Sequence, residues 1–395
     1  MSFKNRKLSE SLADSLVNIH EKTRSNLFTW RGQFSPQLIE QMLTNYASEN
    51  SVVFDPFLGS GTVLFECALL GLESSGCEIN PAAISFAKIY ELINQPKNAV
   101  SESLTIVEEW ILQHTNDLPL FKSVECDKRF EDALVTAYER EKNAITRTIY
   151  LAFITGMDFG AKQPTVKRIN SVWKVLKTNI ENLPHSKSTL KCFQRDSRKT
   201  ALMGNSVDFI ITSPPYINVF NYHQNYRKSI EKIGVDVLSV AKSEIGANRK
   251  FRQNRFLTVV QYCMDMSQVF CELRRICKKN AKVIFIVGRE SNVRKTPFKN
   301  AELIAAVAEI CGFNLIGEQT RLFQNKFGES IYEEILRFNL LGEKRDSLLE
   351  ASREIGRTAL SESLSYCVAD VKPEIEDALN KSRKIETSPI LEPQE

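Results

Sequence analysis

Two periods of apolar positions alternate along the chain, and the switching between them outlines an α/β protein. Ser51-Val52-Val53-Phe54-Asp55 is a short, β-branched apolar run that predicts a buried strand. Pro56-Phe57-Leu58-Gly59-Ser60-Gly61-Thr62 reads as the turn after it, Val63–Leu70 as a helix, and Gly71 as its stop. Ser74–Ile79 predicts a second strand, and Pro81 to about Leu92 a second helix. This β-α-β-α opening signals a parallel sheet. Upstream, residues 8–30 read as a polar helix. Phe34-Ser35-Pro36-Gln37 then starts another, with Ser35 as N-cap, Pro36 at N1 and a stripe of Leu38, Ile39, Met42 and Leu43.

From about Pro96 to Lys191 the pattern is helical and holds no convincing strand. Strand signals resume at Leu190–Phe193 and Val207–Ile211, and recur at Lys282–Gly288 after a helix from Val259 to Ile276. A helix from Asn300 to Cys311 leads to a closing pair, Phe313–Thr320 and Ile331–Phe338. Beyond Leu340 the pattern is one of polar helices and a frayed, Pro- and Glu-rich end. The expected organisation is N-terminal helices over 1–50, a doubly wound core over 51–95 and 190–340, a helical insertion over 96–189, and a polar acidic tail over 341–395.

Composition adds little beyond class. The 395 residues are 43% hydrophobic and 25% charged, and no apolar run approaches a membrane span. Met1–Lys7 lacks the apolar core of a signal peptide, so a cytoplasmic protein away from membranes is expected. Nine cysteines occur without a Cys-x-x-Cys pair or a histidine at ligand spacing, which argues against a disulfide framework and leaves no metal site to expect. The net charge of +4 is small but segregated. Ten Lys/Arg face two acids between Phe159 and Lys199, and eight face three between Ile217 and Val260, whereas twelve acids face eight bases after Leu340. A polyanion-facing surface would produce this, and so would a set of solvated helix faces.

The chemistry concentrates at strand ends. Thr212-Ser213-Pro214-Pro215-Tyr216 follows the run Val207–Ile211, and two prolines cannot continue a ladder. The result is a rigid rim carrying a hydroxyl, a carbonyl and an aromatic ring where open α/β sheets bind ligands. Such a rim suits a flat group bearing an NH2, for example a nucleobase. In Asp55–Thr62, glycines let the backbone approach a ligand and the following helix offers free N–H groups. No Walker lysine is present, which speaks against phosphoryl transfer. Glu78, about twenty residues on, stands where an acid binds ribose hydroxyls, and Asp196 after the third strand could hold an adenine edge.

Together these residues resemble the amino-methyltransferases, S-adenosylmethionine enzymes that methylate exocyclic amino groups of DNA bases. Asp55–Thr62 is similar to the family's Asp-Pro-Phe-x-Gly-x-Gly-Thr cofactor loop, and Ser213–Tyr216 to its (Ser/Asn/Asp)-Pro-Pro-(Tyr/Phe) catalytic loop. Phe34-Ser35-Pro36 resembles the upstream motif that packs on the methionine end of the cofactor. The resemblance covers about residues 30–95 and 190–340. It implies a Rossmann-like methyltransferase sheet, with Phe34, Ser35, Asp55, Phe57, Gly59, Gly61, Thr62, Glu78 and Asp196 at the cofactor. Catalysis would fall to Ser213, Pro214, Pro215 and Tyr216.

An exocyclic amine is a poor nucleophile because its lone pair is delocalised into the ring. The Ser213 hydroxyl and the Pro214 carbonyl can take its two hydrogens and turn the lone pair toward the methyl group, while Tyr216 stacks on a base flipped from the duplex. No Pro-Cys dipeptide occurs, which excludes the carbon-5 cytosine class. In the family, Ser-Pro-Pro-Tyr is more typical of cytosine-N4 enzymes and Asp-Pro-Pro-Tyr of adenine-N6 enzymes. The resemblance therefore implies methylation of cytosine N4 in duplex DNA, in a restriction-modification setting beside a separate endonuclease. Adenine N6 is the alternative. A guanine-N2 tRNA methyltransferase is disfavoured, because only about thirty residues precede the motif. A DNA-binding protein on a retired scaffold would not need the intact loop.

About 150 residues separate the two loops. Two stretches are candidates for DNA reading. One is the basic part of the insertion, with Lys162, Lys167, Arg168, Lys174 and Lys177. The other is the loop Ile217–Phe256, with Tyr222, His223, Arg227, Arg249, Lys250 and Arg252. Tyr222 and Tyr226, at helical spacing, could equally be core. His223 is expected to be structural or DNA-contacting, since the amine can lose its proton to solvent after transfer.

Overall fold

The computed structural model describes residues 3–392 except positions 22, 31, 117–123, 162–163, 218–220, 248–250 and 325–327. Nine strands are formed among the described residues: β1 (Val53–Asp55), β2 (Ser74–Cys77), β3 (Leu190–Phe193), β4 (Val207–Thr212), β5 (Cys277–Gly288), β6 (Glu290–Val293), β7 (Thr296–Lys299), β8 (Asn314–Gln324) and β9 (Ser330–Asn339). Seven of them make one sheet in the order β3-β2-β1-β4-β5-β9-β8, and β6 and β7 form a separate hairpin. Neighbours from β3 to β5 are parallel, whereas β9 runs antiparallel to both β5 and β8. This is the doubly wound, Rossmann-like sheet expected from the periodicity. Strand order reverses between β1 and β4, the switch point at which such sheets open a ligand crevice.

Both faces are covered. On one, helices Leu257–Ile276, Asn300–Ile310 and Leu348–Ser363 bury side chains such as Phe270, Ile304 and Leu360 with Phe285 and Phe338. On the other, helices Pro36–Tyr46 and Thr62–Leu70 bury Leu38, Met42 and Val63 against Phe209 and Ile284. Described residues of the insertion form helices Lys97–Asn116, Val124–Arg140, Ala144–Met157 and Val166–Glu181, and they share a core with helix Pro81–Ala87 and strand β3.

The sequence reading needs correction in three places. Residues 8–30 do not form the expected helix: among the described residues only Asp14–Val17 coils, because backbone groups nearby are bonded by partners elsewhere in the chain. Gln319 bonds both Leu12 N–H (3.1 Å) and Leu12 C=O (2.7 Å), and the buried Arg337 guanidinium donates to the Glu10 carbonyl and to Ser11 Oγ. These side chains satisfy backbone groups that a helix would have paired internally. Ser35 occupies the N-cap position of helix Pro36–Tyr46, but its hydroxyl makes no cap bond and is buried without a partner. Among the described residues, the segment up to position 392 is held and not frayed. Helix Lys372–Lys381 buries Ile375 and Ala378 in the core, and the segment after it is pinned by side chains of the sheet-bearing core.

Candidate active site

The last residues of β1 and β4 are joined at the switch point. Thr212 donates its hydroxyl to Asp55 Oδ1 at 2.6 Å, and the Phe57 N–H donates to the same oxygen at 3.0 Å. The loop after β1 is thereby fastened to the strand that ends in Ser213-Pro214-Pro215-Tyr216. Asp55 is buried and is not a cleft-lining group: its carboxylate is a clamp between the two loops rather than a surface offered to a ligand. Gly61, at φ 95°, is required at the start of helix Thr62–Leu70, since a Cβ there would lie 2.6 Å from the Tyr90 ring.

Burial pushes the Asp55 carboxyl up to about 7, with the bonds from Thr212 and Phe57 pulling the other way. An acid raised on folding holds a proton in the native state between its unfolded value near 4 and 7, where the unfolded chain has released it. Its contribution to stability therefore falls as pH rises through that window and is level above it. Asp55→Asn keeps an acceptor for both donors and does not titrate. Its stability relative to the parent, read by urea unfolding, should improve between pH 4 and pH 8 by on the order of a few kcal/mol. A pH-independent difference would refute the assignment.

The cleft beside this clamp is lined by the N-terminal segment (Trp30, Gln33, Phe34), the first loop (Phe57, Gly59, Thr62), the end of β2 (Glu78, Asn80), the loop after β3 (Arg195, Asp196, Ser197), Ser213 and Pro215 of the second loop, and Tyr222, Ser243, Glu244 and Ile245. Gln33 donates to Ser60 Oγ (2.5 Å) and to the Phe28 carbonyl (2.6 Å), and Asn26 bridges the Phe34 carbonyl and the Thr62 hydroxyl. An upstream segment that reads as a polar helix thus folds over the first loop as a wall. Glu78 accepts from Gly59 N–H (2.9 Å) and Asn80 N–H (2.8 Å), one bond to each oxygen, and burial raises its carboxyl to about 7. Each oxygen keeps a lone pair for a ribose hydroxyl.

Asp196 lies at the cleft, but its carboxylate is already occupied. Arg198 donates to Oδ1 from Nε (2.8 Å) and from its own N–H (3.0 Å), and to Oδ2 from Nη2 (2.6 Å); Leu391 N–H donates to Oδ2 at 3.1 Å. All four acceptor positions of the carboxylate are filled, so the expected bond from the Asp196 side chain to an adenine amine has no acceptor left to make it. The residue instead anchors a buried lattice in which Arg198 also bonds the carbonyls of Ser388 (2.7 Å) and Pro389 (2.8 Å), and Asp265 takes Ser388 N–H at 2.7 Å and its hydroxyl.

On the second loop, Ser213 and Pro215 line the cleft and Pro214 between them is buried. Tyr216 packs against the end of β5, where a Cβ on Gly288 would be 3.2 Å from its ring. Its hydroxyl lies close to Ser213 and to Glu333, which sits opposite Gly288 on β9 and pairs with Arg321 at 3.0 Å, and burial pushes both the Tyr216 hydroxyl and the Glu333 carboxyl up.

The candidates for DNA contact scatter. Arg249 and Lys250, like Lys162, lie outside the described residues. Arg168 caps helix Ala144–Met157, donating to the carbonyls of Gly156 (3.1 Å) and Met157 (2.8 Å). Arg227 bonds Glu231 at 2.6 Å, while Lys167 and Arg252 are exposed. Tyr222 and Tyr226 lie nearly parallel to the Trp30 ring, at 6.4 and 6.2 Å, so both belong to an inner aromatic wall. His223 is buried and bonds Glu244 at 2.7 Å. The sequence reading did not single out Trp30, Gln33, Asn80 or Glu244. No motif marks them, although an aromatic before Phe34-Ser35-Pro36 was a visible signal for Trp30.

Among known families, residues 2–89 match the one described as DNA methylase, of the N6/N4 type. Over that stretch the chain is similar to the amino-methyltransferases. It is 34% identical over 85 residues to the type II methyltransferase M.MjaII of Methanocaldococcus jannaschii, an alignment covering 21% of this chain and 16% of the relative. With the type II methyltransferase M.BsoBI of Geobacillus stearothermophilus it shares 24% identity over 289 residues, 59% of this chain and 56% of the other. The chain thus spans about half the length, or less, of these curated relatives. Among solved structures, a SAM-dependent methyltransferase from Methanosarcina mazei aligns over 76% of this chain and 97% of its own, with 13% identity and a TM-score of 0.34. No helix of the described residues is long and apolar enough to cross a membrane.

The cleft fits S-adenosylmethionine. A helix N-terminus stands beside it for a carboxylate, Glu78 lines it for a diol, and two lining residues, Asn80 and Glu244, carry buried polar atoms without partners, Nδ2 and Oε1; Ser35 does not line it.

Proposed function

We propose that the protein is a site-specific DNA methyltransferase that modifies the exocyclic N4 of cytosine in duplex DNA, in a restriction-modification setting with a separate endonuclease. The observation that carries this reading is the clamp between Thr212 and Asp55, which holds an amine-accepting Ser-Pro-Pro-Tyr loop beside a cofactor cleft. The cofactor supplies an electrophilic methyl group on a sulfonium sulfur. The protein's own work is positioning: the Ser213 oxygen and the Pro214 carbonyl take the two amine hydrogens, and the prolines fix both acceptors before the substrate arrives.

Serine rather than aspartate at position 213 supports cytosine over adenine. Duplex DNA is supported over RNA by the DNA-methylase match of residues 2–89. Methyl-tritiated S-adenosylmethionine is expected to label duplex DNA and to leave bulk tRNA unlabelled; label in tRNA alone would overturn the choice of substrate.

A further inference from the structure

Glu244 is buried, with 4% of its surface exposed, yet it lines the cofactor cleft. Its Oε2 is held by His223 Nδ1 at 2.7 Å, and its Oε1 has no partner. A carboxylate oxygen left bare inside a protein is unfavourable unless something donates to it. The bond from His223 fixes which oxygen is spoken for and turns the other into the cleft.

The donor can be placed by elimination along the cleft. A carboxylate favours the N-terminus of helix Thr62–Leu70, at the β1 end. The diol-binding Glu78 stands at the end of β2. The ring at the opposite end of such a ligand is left beside the loop after β3, and Glu244 is there: the carbonyl of its neighbour Ser243 accepts from Arg198 at 3.5 Å. At this end Asp196 has no acceptor to spare. Asn80 adds the complementary group, since its Oδ1 caps Ala82 and Ala83 and its Nδ2 is buried without a partner at the same cleft. An acceptor and a donor of this kind match the amine and a ring nitrogen of adenine.

We infer that Glu244, oriented by His223, accepts the exocyclic amine of the cofactor's adenine ring and sets the preference for adenine over a 6-oxo purine. The inference rests on the cofactor reading above. Its test is titration calorimetry of the full chain with S-adenosylhomocysteine and with S-inosylhomocysteine, in which the amine is replaced by an oxygen. The unsubstituted protein should prefer the adenosyl ligand by roughly ten- to a hundredfold. Glu244→Gln, able to donate to the 6-oxo group, should abolish or invert that preference, and Glu244→Ala should flatten it. Ligand-free melting curves like the parent's certify that each variant is folded. Retention of the full preference by either folded variant overturns the inference. So does equal weakening of both ligands, which would place Glu244 on the amino-acid end. Binding of neither ligand by the unsubstituted protein would instead fail the cofactor reading, and this inference with it.

Discussion

Ser213→Ala should lower kcat by about a hundred- to a thousandfold while leaving the affinity for S-adenosylmethionine within about threefold, since the loss of one preorganised hydrogen-bonding group at a reacting centre has that scale. The split between the two readouts follows from position. The Ser213 hydroxyl faces the cleft, but the walls that would hold the cofactor come from Phe34, Gly59, Glu78 and Asn80, none of which depends on the serine. Alanine also leaves Thr212 free to clamp Asp55, so the loop keeps its place. Tyr216→Ala should be at least as damaging to turnover, because it removes the ring that packs the loop on Gly288 at the end of β5. Single-turnover methyl transfer alongside calorimetry of cofactor binding separates the effects. Normal turnover in both variants would remove the proposed role of the loop, and parallel loss of binding would make the serine a cofactor contact instead.

The largest effect on stability is expected at Arg198. Its side chain is fully buried and lies between two carboxylates, Asp196 at 2.6 Å and Asp265 at 3.4 Å, which are themselves 2% and 0% exposed. Replacing it by methionine preserves bulk but strands two charges in the interior. Breaking a buried pair from one side costs about 3–5 kcal/mol. The same lattice holds the end of the chain, since Arg198 bonds the carbonyls of Ser388 and Pro389 and Asp265 takes the Ser388 N–H. Removing residues 386–395 should therefore destabilise in the same direction by a smaller amount, leaving Arg198 paired with its carboxylates but short of two acceptors. Urea unfolding of both variants checks the order. Destabilisation by Arg198→Met smaller than that caused by the truncation would mean that the ion pairs contribute less than the strap.

Much of this arrangement was legible in the chain itself. The β-α-β-α opening, the helical character of the insertion and the two loops at strand ends follow from periodicity and from prolines and glycines, which act locally. The corrections share a physical cause. Residues 8–30 have a helix-compatible pattern, but Gln319 and Arg337, some three hundred residues away, offer their backbone better partners. Asp196 stands at the expected position, yet the group that fills its acceptors is two residues on and its last donor comes from Leu391. The acidic end of the chain has no motif, because its role lies in backbone carbonyls that any sequence carries. Glu244 is invisible for a similar reason: a lone acid in a basic loop becomes notable only when burial, His223 and an unpartnered oxygen coincide.

The central claim is that an exocyclic amine of a DNA base meets the methyl donor at Ser213. Its most direct test is incubation of the purified protein with labelled S-adenosylmethionine and genomic DNA from a methylation-free host, followed by nucleoside mass spectrometry. The account predicts N4-methylcytosine as the labelled product. N6-methyladenine would keep the mechanism and contradict the choice of base, whereas 5-methylcytosine, or no methylated nucleoside at all, would contradict the account itself.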